Sequence, residues 1–285
     1  FFVIDTAYYV KPKTDLDMRW LYYAVIHHKL GEIDDGSPIP STTRAAVYVE
    51  DVEIPPLHEQ CEIAAILGAL DDKIEVNRKA SATLEKMARA LYRSWFIDFD
   101  PVHARVEGRA PAHMETTTAA LFPDSFGDDG LPEGWSISEL DKELLIWDSK
   151  RIPLSKSQRA SRRGDVPYYG ATSIMDYVNE AIFDDILLLV GEDGSVIQKN
   201  GKPFTQYIWG PAWVNNHAHV LQGKRFSVEQ LKCIFDQTDI APFVNGAVQA
   251  KLNQTNMRRI PFVEASEQVH EAFDLMITPW FRNIR

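Results

Sequence analysis

An uninterrupted helical pattern from Pro55 to about Phe99 dictates much of what this chain can become. Pro55-Pro56 closes an extended stretch and suits a helix's first turn, where a missing N–H costs little. From there residues recur at alternating spacings of four and three: Ile63, Leu67, Leu70, Ile74, Asn77, Ser81, Leu84, Ala88, Leu91 and Trp95. Such a seam, held for more than four heptads, predicts a helix that packs lengthwise against another helix. Gly68 is the one weak helix former inside it, and no proline follows before Pro101. About 40 residues at roughly 1.5 Å each make a rod of about 60 Å, too long for a small core to cover.

The helix-packing residues are therefore Ile63, Leu67, Leu70, Ile74, Asn77, Leu84, Leu91 and Trp95. Asn77 and Ser81 either fix register with the partner or sit on a wet stretch. Ile66, Val76, Met87, Phe96 and Ile97 lie beside the seam and widen the apolar face enough for more than one partner.

A shift of 210 positions sets Ile4-Asp5-Thr6-Ala7-Tyr8-Tyr9-Val10 against Val214-Asn215-Asn216-His217-Ala218-His219-Val220, Leu21 against Leu231 and Gly36 against Gly246. With a four-residue deletion, Ile54-Pro55 then meets Ile260-Pro261. A second helix starts near Glu264 and carries Gln268, Phe273, Met276, Ile277, Trp280 and Ile284, with Pro279 expected to kink or interrupt it. A period this long is a duplicated domain-plus-helix unit, not a solenoid. The expected class is α+β: a mixed α/β globular domain with two long antiparallel coiled-coil helices. The boundaries are 1–54, the end of a first globular domain; 55–100, the long helix; 101–130, a linker; 131–262, a second globular domain; and 263–285, the start of the second helix.

With 45% hydrophobic and 25% charged residues the chain is of ordinary globular composition. It contains no apolar run of the roughly 18–20 residues that a membrane span needs. Cys61 and Cys233 lie far apart, which suggests no disulfide framework and points to a reducing cytoplasm. The chain opens on Phe1 in strand-like residues, so we read it as a piece of something longer. Its net charge of -11 argues against a polyanion partner until it is divided. Residues 1–149 hold 14 basic and 27 acidic side chains, whereas 150–285 hold 16 and 14. Any DNA-binding surface therefore belongs to the second half.

Catalytic readings fail on spacing. Gly194 to Lys202 mimics a phosphate-binding loop but has six residues between Gly194 and Gly201, and Pro203 stands where Ser or Thr is needed. No Asn/Asp-Pro-Pro-aromatic motif of adenine methyltransferases is present. Asp98 and Asp100 lack a nearby Lys or third carboxylate, and His27-His28 and His217/His219 lack ligand partners at metal-binding spacing. Asp184, Asp185, Glu192 and Asp193 form the remaining, weak hydrolase candidate. No metal, cofactor or catalytic residue is expected.

Pro55-Pro56-Leu57, Glu59-Gln60, Leu70-Asp71-Asp72-Lys73-Ile74, Met87-Ala88-Arg89-Ala90-Leu91 and Ser94-Trp95-Phe96-Ile97-Asp98-Phe99-Asp100-Pro101 form one block, followed by Leu131-Pro132-Glu133-Gly134-Trp135. Together they closely resemble the central conserved region of type I restriction–modification specificity subunits and the start of their second target-recognition domain. The resemblance implies two target-recognition domains, each reading half of a bipartite site in double-stranded DNA, held apart by two long antiparallel helices. It further implies docking of methyltransferase subunits and a restriction subunit, with no catalytic activity in the specificity subunit itself. The rival reading is a coiled-coil protein-interaction scaffold that does not recognise DNA sequence.

Six cations, Lys150, Arg151, Lys156, Arg159, Arg162 and Arg163, fall in 14 positions without an acidic residue, and Gln158 sits among them. They are the first candidates for phosphate and base contact. Tyr169 and Thr172, on the segment after Pro167, Lys199 and Lys202 on a hairpin signal, Asn216 and His217 after a Trp-Gly-Pro-Ala-Trp stretch, and Gln249 and Lys251 complete the DNA-binding set.

Overall fold

The computed structural model describes residues 10–30, 43–246 and 249–285. Residues 4–9 and Gly36, which the repeat invokes, lie outside them. The chain divides into two compact units, 1–80 and 81–285, and the division falls within its longest helix.

In the first unit, α1 (Met18–His27) is capped by Asp17, whose carboxylate accepts from the N–H groups of Arg19 and Trp20. After α2 (Arg44–Tyr48) comes α3 (Leu57–Phe96), 40 residues long and close to the expected span. Gln60, Ala64 and Gly68 are buried, a stripe at four-residue spacing whose small residues admit a close neighbour. That neighbour is α1. The Gln60 amide accepts from Asp17 N at 3.0 Å, Arg19 donates to Gly68 O at 3.1 Å and pairs with Asp72, and Tyr23 Oη donates to Asp71 at 2.7 Å. A Cβ on Gly68 would meet the Arg19 guanidinium, the mobile end of a half-exposed side chain that would have to shift.

The buried stripe is rotated away from the heptad seam. Ile63, Leu70, Ile74 and Asn77 are exposed and Leu67 is half-buried, so this part of the expected helix-packing set is uncovered among the described residues. Leu84 and Leu91 are half-buried and Trp95 buried, within the second unit.

After the end of α3 that unit continues with α4 (Asp100–Val106) and α5 (Thr116–Ala119), in the stretch expected to be a linker. Phe99, at φ 54°, makes the corner between α3 and α4, and Pro101 takes the first turn of α4. A two-stranded antiparallel pair joins β1 (Ser136–Glu139) to β10 (Pro261–Glu264). One four-stranded sheet has the order β2 (Leu144–Ile146), β9 (Ala218–Gly223), β6 (Leu187–Gly191), β7 (Thr205–Ile208). The other runs β4 (Ile174–Val178), β3 (Arg163–Tyr169), β8 (Pro211–Val214), β5 (Phe183–Asp184), with β3 and β8 parallel. The expected α+β class is therefore found.

Strand β6 shows how the layers stack. Its Leu188 and Val190 join a core with α3, α7 (Val228–Gln237) and α9 (Glu267–Ile284), whereas Leu187 and Leu189 join Phe183, Ala212 and Val214 of the other sheet. An unbroken apolar run is what a strand covered on both faces requires. Phe96 stacks on His270 at 5.0 Å and Tyr92 meets Phe273 at 5.7 Å. The later residue of α3 thus meets the earlier one of α9, so the two helices run in opposite senses over this contact. Pro279 does not interrupt α9. Leu275, whose carbonyl loses its intrahelical donor there, is 77% exposed, so water can replace the bond.

Helices α1, α2 and α3 start at 18, 44 and 57; α7, α8 (Gln254–Arg258) and α9 start at 228, 254 and 267. Each pair is separated by 210 residues, so the repeat runs into the long helices without the expected four-residue deletion. Under this alignment Ile63, Leu67, Leu70 and Ile74 correspond to Phe273, Ile277, Trp280 and Ile284.

Candidate nucleic-acid interface

The register of the two sheets gathers several candidate residues at one end. Tyr169 pairs with Ile174 and Val214, Val190 with Thr205, and Gly191 with Ala218. The loops 170–173, 192–204 and 215–217 therefore leave the sheets together. Asn215 N donates to Tyr169 O at 3.1 Å, Gln206 to Gly170 O at 2.9 Å, and Glu192 N to His217 O at 2.9 Å. Residues 249–251 join them through Gly194 N to Ala250 O at 3.0 Å and a bridge between Asp193 and Lys251.

This end holds Tyr169, Thr172, Asn216, His217, Gln249 and Lys251. All but half-buried Tyr169 are exposed. Tyr169 packs on the second core, and burial raises its phenol above the ordinary tyrosine range. In place of the alternation expected through 215–219, residues 215–217 turn between β8 and β9, burying Asn215 and presenting Asn216 and His217, and His219 is buried within β9. Asn215 Oδ1 accepts from His217 N at 2.8 Å and so fixes the turn. The neighbouring Asn253 caps α8 rather than facing outward.

The basic segment proves less uniformly basic than its sequence. Arg151 is almost buried, 2.6 Å from both Glu192 and Ala218 O. Arg159 pairs with Asp176 at 2.9 Å, donates to Leu154 O and lies over the Tyr168 ring; its hydrogen bond holds the Asp176 carboxyl below the usual range. Arg162 pairs with Glu180 at 3.2 Å. Gln158 caps α6 (Lys156–Ala160), accepting from Ser155 N at 2.8 Å. Lys150, Lys156 and Arg163 are exposed and form no ion pair among the described residues, although Lys150 lies 4.2 Å from the centre of the Trp147 ring. The segment is also stretched. Arg151 sits near the loop end, whereas Arg163 begins β3, about 20 Å away along the strand at roughly 3.3 Å per residue.

Lys199 is exposed on the hairpin, but Lys202 turns inward and donates to Gln237 O at the end of α7, where a cation satisfies an orphan carbonyl.

A buried cluster at this same end escapes sequence reasoning. Asp148, Glu192 and His219 converge, with His219 fully buried and its Nδ1 2.6 Å from Asp148 Oδ2. They are separated by dozens of residues, and no local pattern joins them. Their ligand atoms lie within 4.8 Å of one another, a spacing that could suit a metal. The Arg151 guanidinium also pairs with both carboxylates, 2.6 Å from Glu192 and 3.3 Å from Asp148.

The family model for the type I restriction modification DNA specificity domain matches residues 1–86 and 132–270. The chain belongs to this family. The protein S.HindORF215P of Haemophilus influenzae is 35% identical over 123 residues, which cover 43% of this chain and 31% of that protein. The MjaIX specificity subunit of Methanocaldococcus jannaschii is 22% identical over 299 residues, 96% of this chain and 64% of that protein. The chain thus spans less than two thirds of either relative. The crystal structure of the S subunit of the type I restriction-modification system from M. genitalium superposes with a TM-score of 0.41 at 16% identity, covering 94% of this chain and 69% of that one.

Proposed function

We propose that this chain reads DNA sequence as part of a type I restriction–modification specificity subunit. Residues 131–262 act as a target-recognition domain, 1–54 as the end of another, 55–100 as the spacer helix, 101–130 as a linker and 263–285 as the start of the distal helix. The supporting observation is the shared loop end of the two sheets, on whose loops Thr172, Asn216, His217, Gln249 and Lys251 are all exposed in a family member. Asn, Gln and Thr suit base edges, and lysines suit phosphates.

In this reading the chain is non-catalytic and needs no cofactor. Methyl transfer and cleavage belong to methyltransferase and restriction subunits docked on it, in the cytoplasm. Within 81–285 the α3–α7 junction is tied by Arg89 and Lys232, both in ion pairs with Asp236 and with Glu85. Such a network suits a recognition domain held rigidly on its spacer. The exposed Leu70 and Ile74 favour a protein partner on the earlier part of α3, which the scaffold reading shares.

A mobility-shift assay on the intact subunit with its methyltransferase subunits separates the two. Sequence-dependent binding is expected, with Asn216→Ala and His217→Ala relaxing discrimination at one half-site. Binding that ignores sequence would remove the proposal and leave the scaffold.

A further inference from the structure

We propose that the hairpin 196–204 is an arm that meets DNA phosphate through Lys199 and is held in place by the spacer helix through the end of α7; this rests on reading that end of the sheets as the DNA interface. The hairpin closes where Phe204 N donates to Val196 O at 3.0 Å and Gln198 N to Lys202 O at 2.8 Å. Gly201, at φ 81°, turns its tip. Gln198, Lys199 and Asn200 are exposed there, and Lys199 forms no ion pair among the described residues.

The other side of the hairpin is bound to the end of α7. Ile240 N donates to Gly201 O at 2.9 Å, the Lys202 ammonium to Gln237 O, and the Thr205 hydroxyl to Asp236 Oδ1 at 2.8 Å. Asp236 and Gln237 also grip α3. Asp236 Oδ2 accepts from Arg89 Nη1 at 3.3 Å and from Lys232 Nζ at 2.8 Å, and the Gln237 amide donates to Arg89 O at 3.2 Å. Glu85 completes the set, 3.3 Å from Arg89 and 3.6 Å from Lys232, two carboxylates against two cations. The Asp236 side chain is only 11% exposed, so water weakens these bonds little. One of its oxygens thus holds the hairpin and the other holds α3.

A lysine on a free hairpin must lose backbone freedom when it meets a phosphate, whereas one anchored beforehand does not. Anchoring on α3 also fixes where along the spacer that phosphate contact falls. Thr205 and Lys202 are positioning residues: both direct their side chains at α7 and act through Lys199.

Amide hydrogen exchange on the full chain tests the anchoring without DNA. Thr205→Val removes the hydroxyl and leaves Asp236 to Arg89 and Lys232. The Gly201 and Ile240 amides should then exchange about fivefold faster, and Thr205→Ser should restore them. Unchanged exchange overturns the anchoring. The role is read in the assembled complex, as affinity for the cognate site. Lys199→Ala should lower the salt slope by about 1. Thr205→Val and Lys202→Met should each weaken binding about fivefold when Lys199 is present, and not at all beside Lys199→Ala. Equal losses in both backgrounds would mean that these bonds only support the fold, and an unchanged affinity or salt slope would remove the arm; either overturns the proposal. Absence of sequence-specific binding by the unaltered complex counts against the DNA reading itself, and the exchange result still decides the anchoring.

Discussion

Asp274 on α9 offers a sharp test of how burial sets stability. Its carboxylate accepts from Ser227 N at 3.0 Å and from the Ser227 hydroxyl, beside Glu229. Burial pushes its pKa up to about 6 from an ordinary value of 3.8, against the two hydrogen bonds, which pull it down. A carboxyl raised on folding contributes stability in its protonated form, and this is lost as pH rises from about 4 through about 6. At about 1.36 kcal/mol per unit, the charged form costs about 3 kcal/mol at pH 7. Asp274→Asn removes the charge and keeps one Ser227 bond, but deprives the hydroxyl of its acceptor, worth about 1 kcal/mol. The variant should therefore be about 1–2 kcal/mol more stable at pH 7 in urea unfolding. The advantage should fade below pH 5. His270 works in the opposite direction, because burial lowers it to about 4, so its contribution falls as pH drops from about 6.5 to 4. The two nearly offset each other in the wild type, which is why the difference between variant and wild type is the quantity to measure. A variant less stable than wild type at pH 7, or a difference independent of pH between 4 and 7, would refute the reasoning.

Asp274→Asn should also unmask His270, and its stability should then fall by up to about 3 kcal/mol between pH 6.5 and 4, readable as an earlier acid-unfolding midpoint. Trp95→Ala, at the centre of the Phe96, Phe122 and Phe273 cluster, should cost about 3–5 kcal/mol in denaturant unfolding; a loss below 1 kcal/mol contradicts its burial. Arg159→Ala should lower stability by about 1–2 kcal/mol through Asp176 and Leu154 O. Lys156→Ala should leave stability alone and, if its side chain meets phosphate, reduce the salt slope of DNA binding by about 1. The same effect from both variants would mean that the distinction between paired and unpaired cations is irrelevant.

How much was legible depended on the range of the interaction. The α3 span was readable because heptad spacing and flanking prolines act within a few residues of one another. The α4 helix was missed because its start depends on Phe99 adopting a left-handed conformation, which no residue preference announces. The 210-residue offset was visible in sparse identities, but only the helix starts removed the supposed deletion. Within the candidate site, strand alternation put Asn216 and His217 on opposite faces, whereas a turn exposes both; Arg151 and Lys202 turn inward, and Gln158 is exposed but spends its side-chain oxygen on the Ser155 N–H.

By itself, then, the sequence determined a long helix, a mixed α+β class, a duplicated plan and a second half enriched in cations, all properties of local pattern and composition. Only the tertiary structure decided which cations remain available. Asp176, Glu180 and Glu192 lie 17, 18 and 41 residues from the arginines they neutralise. Strand pairing brings such partners together, and a charge separated along the chain has no way of showing whether its counterion will be beside it in space.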